Sequence, residues 1–184
     1  MPITINGSGT VSGLTAAPNL TSSGLTTGKV LQVISTAKTD DFSESISTGT
    51  FSSDAITLSI TPSNASNKIY LLASMSLNSS TSHRTGFAFF KGGSKIDGAT
   101  GDANGSRTRL STSTYTHGAG YYAPMVMNYL DTAGGTNAIT YSVRLFNGNS
   151  STMTVGMNDL QSGSTTAARI DQAMSTFTAF EVAA

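Results

Sequence analysis

The chain contains no cysteine and no tryptophan, and it has few charged residues. Without cysteine there can be no disulfide, no thiolate nucleophile and no cysteine-based zinc site. Ten Lys and Arg balance ten Asp and Glu, so 11% of the chain is charged, against about 25% in typical globular domains. Zero net charge without a basic cluster argues against nucleic-acid binding, which needs grouped Lys and Arg. The longest apolar run, residues 69–73, is far shorter than the ~18 residues of a membrane-spanning helix, so we expect no membrane insertion.

Hydroxyl side chains are abundant where charges are scarce. Serine and threonine account for 56 of the 184 residues, and 38% of the chain is hydrophobic, including eight Phe and six Tyr. Disordered chains usually combine few aromatic residues with high net charge, and this chain has neither property. The composition therefore predicts a folded domain whose surface is rich in hydroxyl groups.

Residues 1–28 differ in composition from the rest of the chain. They contain five glycines and no charged residue, and their apolar side chains are too few for a core of their own. A flexible leader and an attachment arm that becomes ordered against a partner both fit this composition. We predict an extended N-terminal attachment arm over residues 1–28 and a β-sandwich knob domain over residues 29–184. The arm residues expected to contact the partner are Ile3, Ile5, Val11 and Leu14.

From residue 29 onward, apolar residues recur with a period of two. The clearest stripes lie in residues 56–60, 69–77 and 139–145, and this alternation is typical of strands with one buried face. Gly92 and Gly93 separate two strand-like runs, which indicates a hairpin. About nine short strands are expected, one of them over residues 108–115, and no stretch has a convincing helical period. The sequence therefore predicts an all-β chain, an antiparallel β-sandwich of jelly-roll type.

Residues that could carry out chemistry are sparse. The two histidines, His83 and His117, lie among Ser and Thr, and no carboxylate stands at helical spacing from either to complete a metal site. Residues 102–106 partly resemble a calcium loop but lack its final bidentate Glu. Asp40, Asp41 and Glu44 are interpreted as solvated loop charges. We predict no catalytic residue, no metal site and no cofactor, and therefore a protein that is not an enzyme.

One interval, residues 107–122, concentrates arginine and tyrosine. Two Arg, three Tyr and one His fall within these 16 residues. Arg and Tyr dominate binding hot spots, Tyr rings can stack on sugar faces, and Arg can bind the carboxylates of an acidic glycan. The alternative is an edge strand and loop whose tyrosines pack at the rim of the core. The predicted recognition residues are Arg107, Arg109, Tyr115, His117, Tyr121 and Tyr122.

Five segments resemble, in the same order, segments of one protein family. They are MPITINGSGTVSGL at the N-terminus, GKVLQVISTAKTD from Gly28, ITLSITPSNASNKIYLLASMSL from Ile56, NYLDTAGGTNAITYSVRL from Asn128 and STFTAFEVA from Ser175. The chain resembles the small β-rich tail-fibre or fibre-like virion proteins of tailed bacteriophages, especially marine and cyanobacterial ones. Residues 98–127, which include the Arg and Tyr interval, lie outside this resemblance.

The resemblance implies a non-enzymatic virion structural protein, assembled in the host cytoplasm as a homotrimer. The arm would attach to another virion protein, and the knob would contribute to host attachment through a host surface glycan or protein. A capsid decoration or cement protein that stabilises the head shell is the alternative. Threefold assembly would also cover apolar residues that exceed what one small sandwich must bury. These residues are Phe42, Phe51, Tyr121, Tyr122, Met125 and Met127.

Overall fold

The computed structural model describes residues 28–159 and 172–184. Of the arm predicted over residues 1–28, residues 1–27, with Ile3, Ile5, Val11 and Leu14, lie outside these ranges. Gly28 is within them, and its amide donates a hydrogen bond to the carbonyl oxygen of Ala183 at 3.0 Å. The boundary predicted between residues 28 and 29 stays a prediction.

The described residues form strands and their connections, with one 3₁₀ turn at Asp97–Ala99. The strands are β1 (Val30–Lys38), β2 (Phe42–Ile46), β3 (Phe51–Ile60), β4 (Lys68–Ser79), β5 (Arg84–Lys91), β6 (Ser94–Lys95), β7 (Thr112–Tyr115), β8 (Ala123–Thr132), β9 (Ile139–Asn147), β10 (Met153–Met157) and β11 (Ser175–Val182). The hairpin predicted at Gly92 and Gly93 joins β5 to β6, and both glycines have positive φ, 55° and 81°, a conformation that glycine adopts without steric cost.

The strands form two antiparallel sheets. Sheet A has the order β1-β11-β4-β10-β2, and β8 pairs with the free side of β4. Sheet B has the order β3-β9-β5-β6, and β7 also pairs with β5. The predicted all-β antiparallel sandwich is therefore confirmed.

The core lies between the two sheets and uses the predicted stripes. Alternate residues of β4, from Ile69 to Leu77, are at most 1% exposed. Tyr141, Val143 and Leu145 of β9 face them from sheet B and are fully buried. The ring of Phe89 in sheet B stacks on that of Phe177 in sheet A with centroids 5.8 Å apart, which joins the sheets directly.

Two details of the sequence interpretation are wrong. Glu44 lies within strand β2 rather than in a loop, and it accepts hydrogen bonds from the amide and hydroxyl of Ser53. The strand expected over residues 108–115 begins only at Thr112. The preceding residues form a loop, in which Arg109 binds the carbonyl oxygens of Asp97 and Gly101.

Most of the apolar residues expected to exceed the needs of one sandwich are covered within a single chain. Met125 belongs to the core, and Phe42 and Met127 pack against it. Phe51 packs on two phenylalanine rings of sheet B, and Tyr122 is half-buried. Tyr121 is exposed, at 58%. The expectation that these six residues need a trimer interface to cover them is thus wrong for all of them except Tyr121.

A group of exposed apolar residues lies on the outer face of sheet A. Leu130, Tyr70, Phe180 and Val33 stand opposite one another in register across β8, β4, β11 and β1. Leu130 and Val33 are 52% and 51% exposed, while the Tyr70 and Phe180 rings lie 5.9 Å apart. The outward positions of these four strands carry a single charged side chain, Lys68.

Candidate functional site

The register of the strands gives the sandwich two distinct ends. Val30, Lys68 and Thr132 lie together at one end, because Val30 pairs with Val182 and Lys68 pairs with both Val182 and Thr132. Gly28 is therefore at this end. The opposite end holds the end of β4, the start of β8 and the turns around residues 80–83 and 116–122. Residues 68–77 of β4 span about 30 Å between them. We call these the Gly28 end and the far end.

The predicted recognition residues do not form one surface. Arg109 is half-buried and is held by the loop beneath it, where its Nε donates to the Gly101 oxygen at 2.7 Å and its Nη2 to the Asp97 oxygen at 2.8 Å. Tyr122 is also half-buried, and its hydroxyl donates to the Asn158 oxygen at 2.6 Å. These two side chains bind their own chain, so the alternative of a rim packing role fits them better.

Three of the predicted residues come together at the far end. Tyr115, His117 and Tyr121 form a chain of ring contacts with His83, with successive centroid distances of 6.3, 6.5 and 5.8 Å from His83 onward. Tyr115 and Tyr121 are 55% and 58% exposed. We call these four residues the aromatic row.

The aromatic row rests on anchored backbone. The Tyr115 hydroxyl donates to the Ser82 oxygen at 2.7 Å. The side-chain amide of Asn78, fully buried in β4, donates to the carbonyl oxygens of Gly118 and Tyr121 at 3.3 and 2.6 Å. The tyrosine rings are therefore presented by a turn that the central strand of sheet A holds in place.

Arg107 lines an open groove next to the aromatic row. The groove has a volume of about 650 Å³ and is also lined by Arg84, Phe146 and Asn149. Arg84 stands directly opposite Tyr115 in the β5–β7 register, and paired residues of antiparallel strands project to the same face. We call this feature the arginine groove, and it continues into the aromatic row.

The two groove arginines have no acidic partner. Within the part of the chain that the structure describes, no carboxylate lies within ion-pair distance of Arg84 or Arg107, and neither guanidinium donates a hydrogen bond. None of the residues that line the groove is acidic. The sequence interpretation missed Arg84, Phe146 and Asn149, because only the long-range pairing of β5 with β7 and β9 brings them to Arg107.

Several titratable groups elsewhere bind each other. The Tyr141 hydroxyl donates to Asp131 Oδ2 at 2.7 Å, and the Lys91 ammonium lies 2.7 Å from the same oxygen. Burial, followed by the hydrogen bond to the Asp131 carboxylate, raises the pKa of Tyr141 well above its usual value. Burial would raise the pKa of Asp54, but hydrogen bonds from Ser142 and Arg144 outweigh it and lower that pKa.

Over residues 28–159 and 172–184, no three His, Asp or Glu residues are grouped so that they could bind a metal ion. The same residues contain no helix with the length and hydropathy of a membrane span.

No protein-family model matches the sequence, and no curated protein matches it. Among solved structures, the chain is similar to a structure of the infectious bursal disease virus Gx strain. The TM-score is 0.42, and the two sequences are 11% identical over 83% of this chain and 37% of that chain. It is also similar to the VP2 subviral particle of infectious bursal disease virus, with a TM-score of 0.38 and 11% identity over the same shares of the two chains. The chain thus spans little more than a third of either structure's chain.

Proposed function

We propose that the chain is a non-enzymatic structural protein of a tailed-phage virion, a tail-fibre or fibre-like protein that contributes to host attachment. The observation that carries this proposal is the separation of the two ends of the sandwich. Residue 28, from which the predicted arm continues, lies at one end, and the aromatic row and arginine groove lie at the other. A domain built this way can be tethered through the Gly28 end while its far end faces outward.

The five ordered segments that resemble fibre-like virion proteins supply the phage context. The β-sandwich itself is common to many unrelated functions, so the fold alone does not favour one of them. A surface with hydroxyl groups and no net charge keeps the displayed domain from binding charged polymers nonspecifically.

We propose that three copies assemble around a common axis through the outer face of sheet A. Four strands about 4.8 Å apart and about 30 Å long present roughly 500–600 Å² in projection. Side chains raise the accessible area of this face toward the ~800 Å² per partner of a standard interface. Lys68 is the one charged side chain at its outward positions, and the chain has no net charge. A face with so little charge fits other copies of this chain better than an oppositely charged partner, and the resemblance to fibre-like virion proteins supports three copies around the axis.

Removal of residues 1–27 tests the attachment role of the arm. Every hydrogen bond described above survives this deletion, so we expect the truncated chain to fold and to keep its thermal midpoint. We expect it to be absent from purified particles, as measured by quantitative mass spectrometry. A second, full-length variant has Ile3, Ile5, Val11 and Leu14 replaced by Ser, and we expect it to be depleted from purified particles as well. A truncated chain that enters particles normally would refute the attachment role of the arm. A truncated chain that does not fold would refute the division into an arm and a separately folded β-sandwich.

The same particles distinguish a fibre from a capsid decoration protein. Cryo-electron microscopy of virions with a labelled chain gives its location, and mass spectrometry gives its copy number. A few trimers at the tail support the proposal. Hundreds of copies on the head shell would replace it with the decoration role.

A further inference from the structure

We propose that the arginine groove binds a carboxylate-bearing saccharide, an inference that rests on the proposed attachment function and names its ligand class. The site combines two unpaired guanidinium groups, a lining of hydroxyl and amide side chains, and an aromatic surface at its mouth. It differs from the six residues predicted from the sequence, because it adds Arg84 and excludes Arg109 and Tyr122.

The charge of the groove selects an anion. Residues 28–159 and 172–184 contain four arginines. Two of them lie near carboxylates: Arg144 Nε is 2.6 Å from Asp54 Oδ1, and Arg109 Nη1 is 3.8 Å from Asp97 Oδ1. The remaining two, Arg84 and Arg107, both line the groove. A guanidinium binds a carboxylate through two parallel hydrogen bonds, which adds geometry to charge. Two such groups without an acidic neighbour favour an anionic ligand.

The rest of the lining favours a sugar over other anions. Thr48, Thr108, Ser113 and Asn149 supply hydroxyl and amide groups, while Phe146 and Leu110 supply apolar surface. A sugar ring presents hydroxyls at its edge and C–H groups on its faces, so it uses both kinds of surface. The volume of about 650 Å³ lies in the range of small-molecule sites, about 300–1,000 Å³. A nucleic acid needs more cations than two arginines provide.

A wall of the groove is fixed before any ligand arrives. The Asn147 side-chain amide donates to the carbonyl oxygens of Ile46 and Ser151 at 2.8 and 3.0 Å, and its oxygen accepts from the amide of Asn149 at 2.7 Å. A Cβ on Gly148 would lie 2.9 Å from both the Cβ and the carbonyl oxygen of Arg84, so the backbone approaches Arg84 as closely as glycine allows. A preformed wall lowers the ordering cost of binding.

The aromatic row extends the site along the far end. Arg84 stands opposite Tyr115, and Tyr115 and Tyr121 are more than half exposed. A saccharide chain that leaves the groove therefore meets tyrosine rings on which a further sugar can stack. The arrangement fits a short stretch of polymer rather than an isolated acid.

Calorimetric titration of the full-length chain with tri-galacturonate tests this inference. The matched neutral probe is the fully methyl-esterified trisaccharide, which keeps the rings and removes the carboxylates. We expect the acid to bind and the ester to bind at least about tenfold more weakly. The double variant Arg84→Gln with Arg107→Gln should lose binding of the acid, and Arg84→Lys with Arg107→Lys should lose part of it, because lysine keeps the charge without the planar fork.

The control variant is Lys29→Gln with Lys68→Gln, which removes the same charge at the Gly28 end. We expect it to bind the acid as the native chain does. Equal binding of acid and ester, or undiminished binding by the arginine-to-glutamine variant, would overturn the site. An acidic tripeptide that binds as tightly as the trisaccharide would overturn the saccharide class. Particle incorporation of the arginine variant is measured separately, so the groove can fail while the virion role stands, and the reverse.

Discussion

Glu181 is a carboxylate with no exposed surface, on the inward side of β11. Its oxygens accept hydrogen bonds from the Asn67 amide at 2.6 Å, the Gln32 amide at 2.6 Å, and the backbone and hydroxyl of Ser63 at 2.7 and 2.8 Å. Burial alone would raise its pKa, but these bonds outweigh burial and lower the pKa to about 2. One ionised side chain thus ties β1 and the β3–β4 turn to β11.

The depressed pKa of Glu181 makes stability depend on acid. Because the folded pKa of about 2 lies below the ordinary 4.5, the contribution of this group is complete above about pH 4.5 and is lost as the pH falls toward 2. We expect Glu181→Gln to lower the free energy of unfolding at pH 7 by about 1.5–3 kcal/mol, the range for hydrogen bonds to a charged group, and by less at pH 3, in urea titrations. The control is Asp102→Asn, in an exposed loop. An equal loss at both pH values would mean that packing, not charge, explains the effect.

At the scale of the strand, β5 and β7 approach each other unusually closely. A Cβ on Gly86 would meet the carbonyl oxygen of Thr112 and lie 2.8 Å from the Cα of Ser113. Both contacts are to backbone, which cannot move aside while the β5–β7 pairing holds. Since Arg84 and Tyr115 belong to the same pair of strands, the join between groove and aromatic row depends on this glycine.

We expect Gly86→Ala to separate β7 from β5. Amide hydrogen exchange should become faster over residues 112–115, and the thermal midpoint should fall by several degrees, as about 1–3 kcal/mol of overpacking would produce. Gly101→Ala is the matched control, because a Cβ there meets nothing within 4 Å. Unchanged exchange at β7 would show that the two strands can move apart without cost.

Elements with many alternating apolar residues could be predicted from the sequence, and the candidate site only in part, since Arg107 and three residues of the aromatic row were predicted and Arg84 was not. The stripes in β4 and β9 mark buried faces by local pattern alone. Strand β2 has the same alternation, with Phe42, Glu44 and Ile46 inward, but acidic neighbours made it look like a loop. Arg84 gives no local signal, since its meeting with Arg107 depends on pairings between residues that are far apart in the chain.

At the scale of the whole molecule, the proposed threefold assembly rests on the outer face of sheet A. We expect light scattering to give about three times the chain mass of 18.9 kDa. Leu130→Glu places a charge on this face, where Leu130 of the edge strand β8 is 52% exposed, and should give a folded monomer because an unpaired charge buried in an interface is costly. Tyr121→Glu, the same charge at the far end, should leave the trimer intact. A native chain that is a folded monomer would refute threefold assembly.

The position of Gly28 also fixes how the domain bears mechanical load. A pull between residue 28 and an object held at the far end acts along the length of β1. That strand pairs with β11 from Val30 opposite Val182, and after one register shift the pairing is uninterrupted from Gln32 opposite Glu181 to Lys38 opposite Ser175. Force in this direction shears the two strands, so the hydrogen bonds between them must break together rather than one after another. In the proposed attachment role, the sandwich would therefore resist tension along the line from the Gly28 end to a ligand bound at the far end.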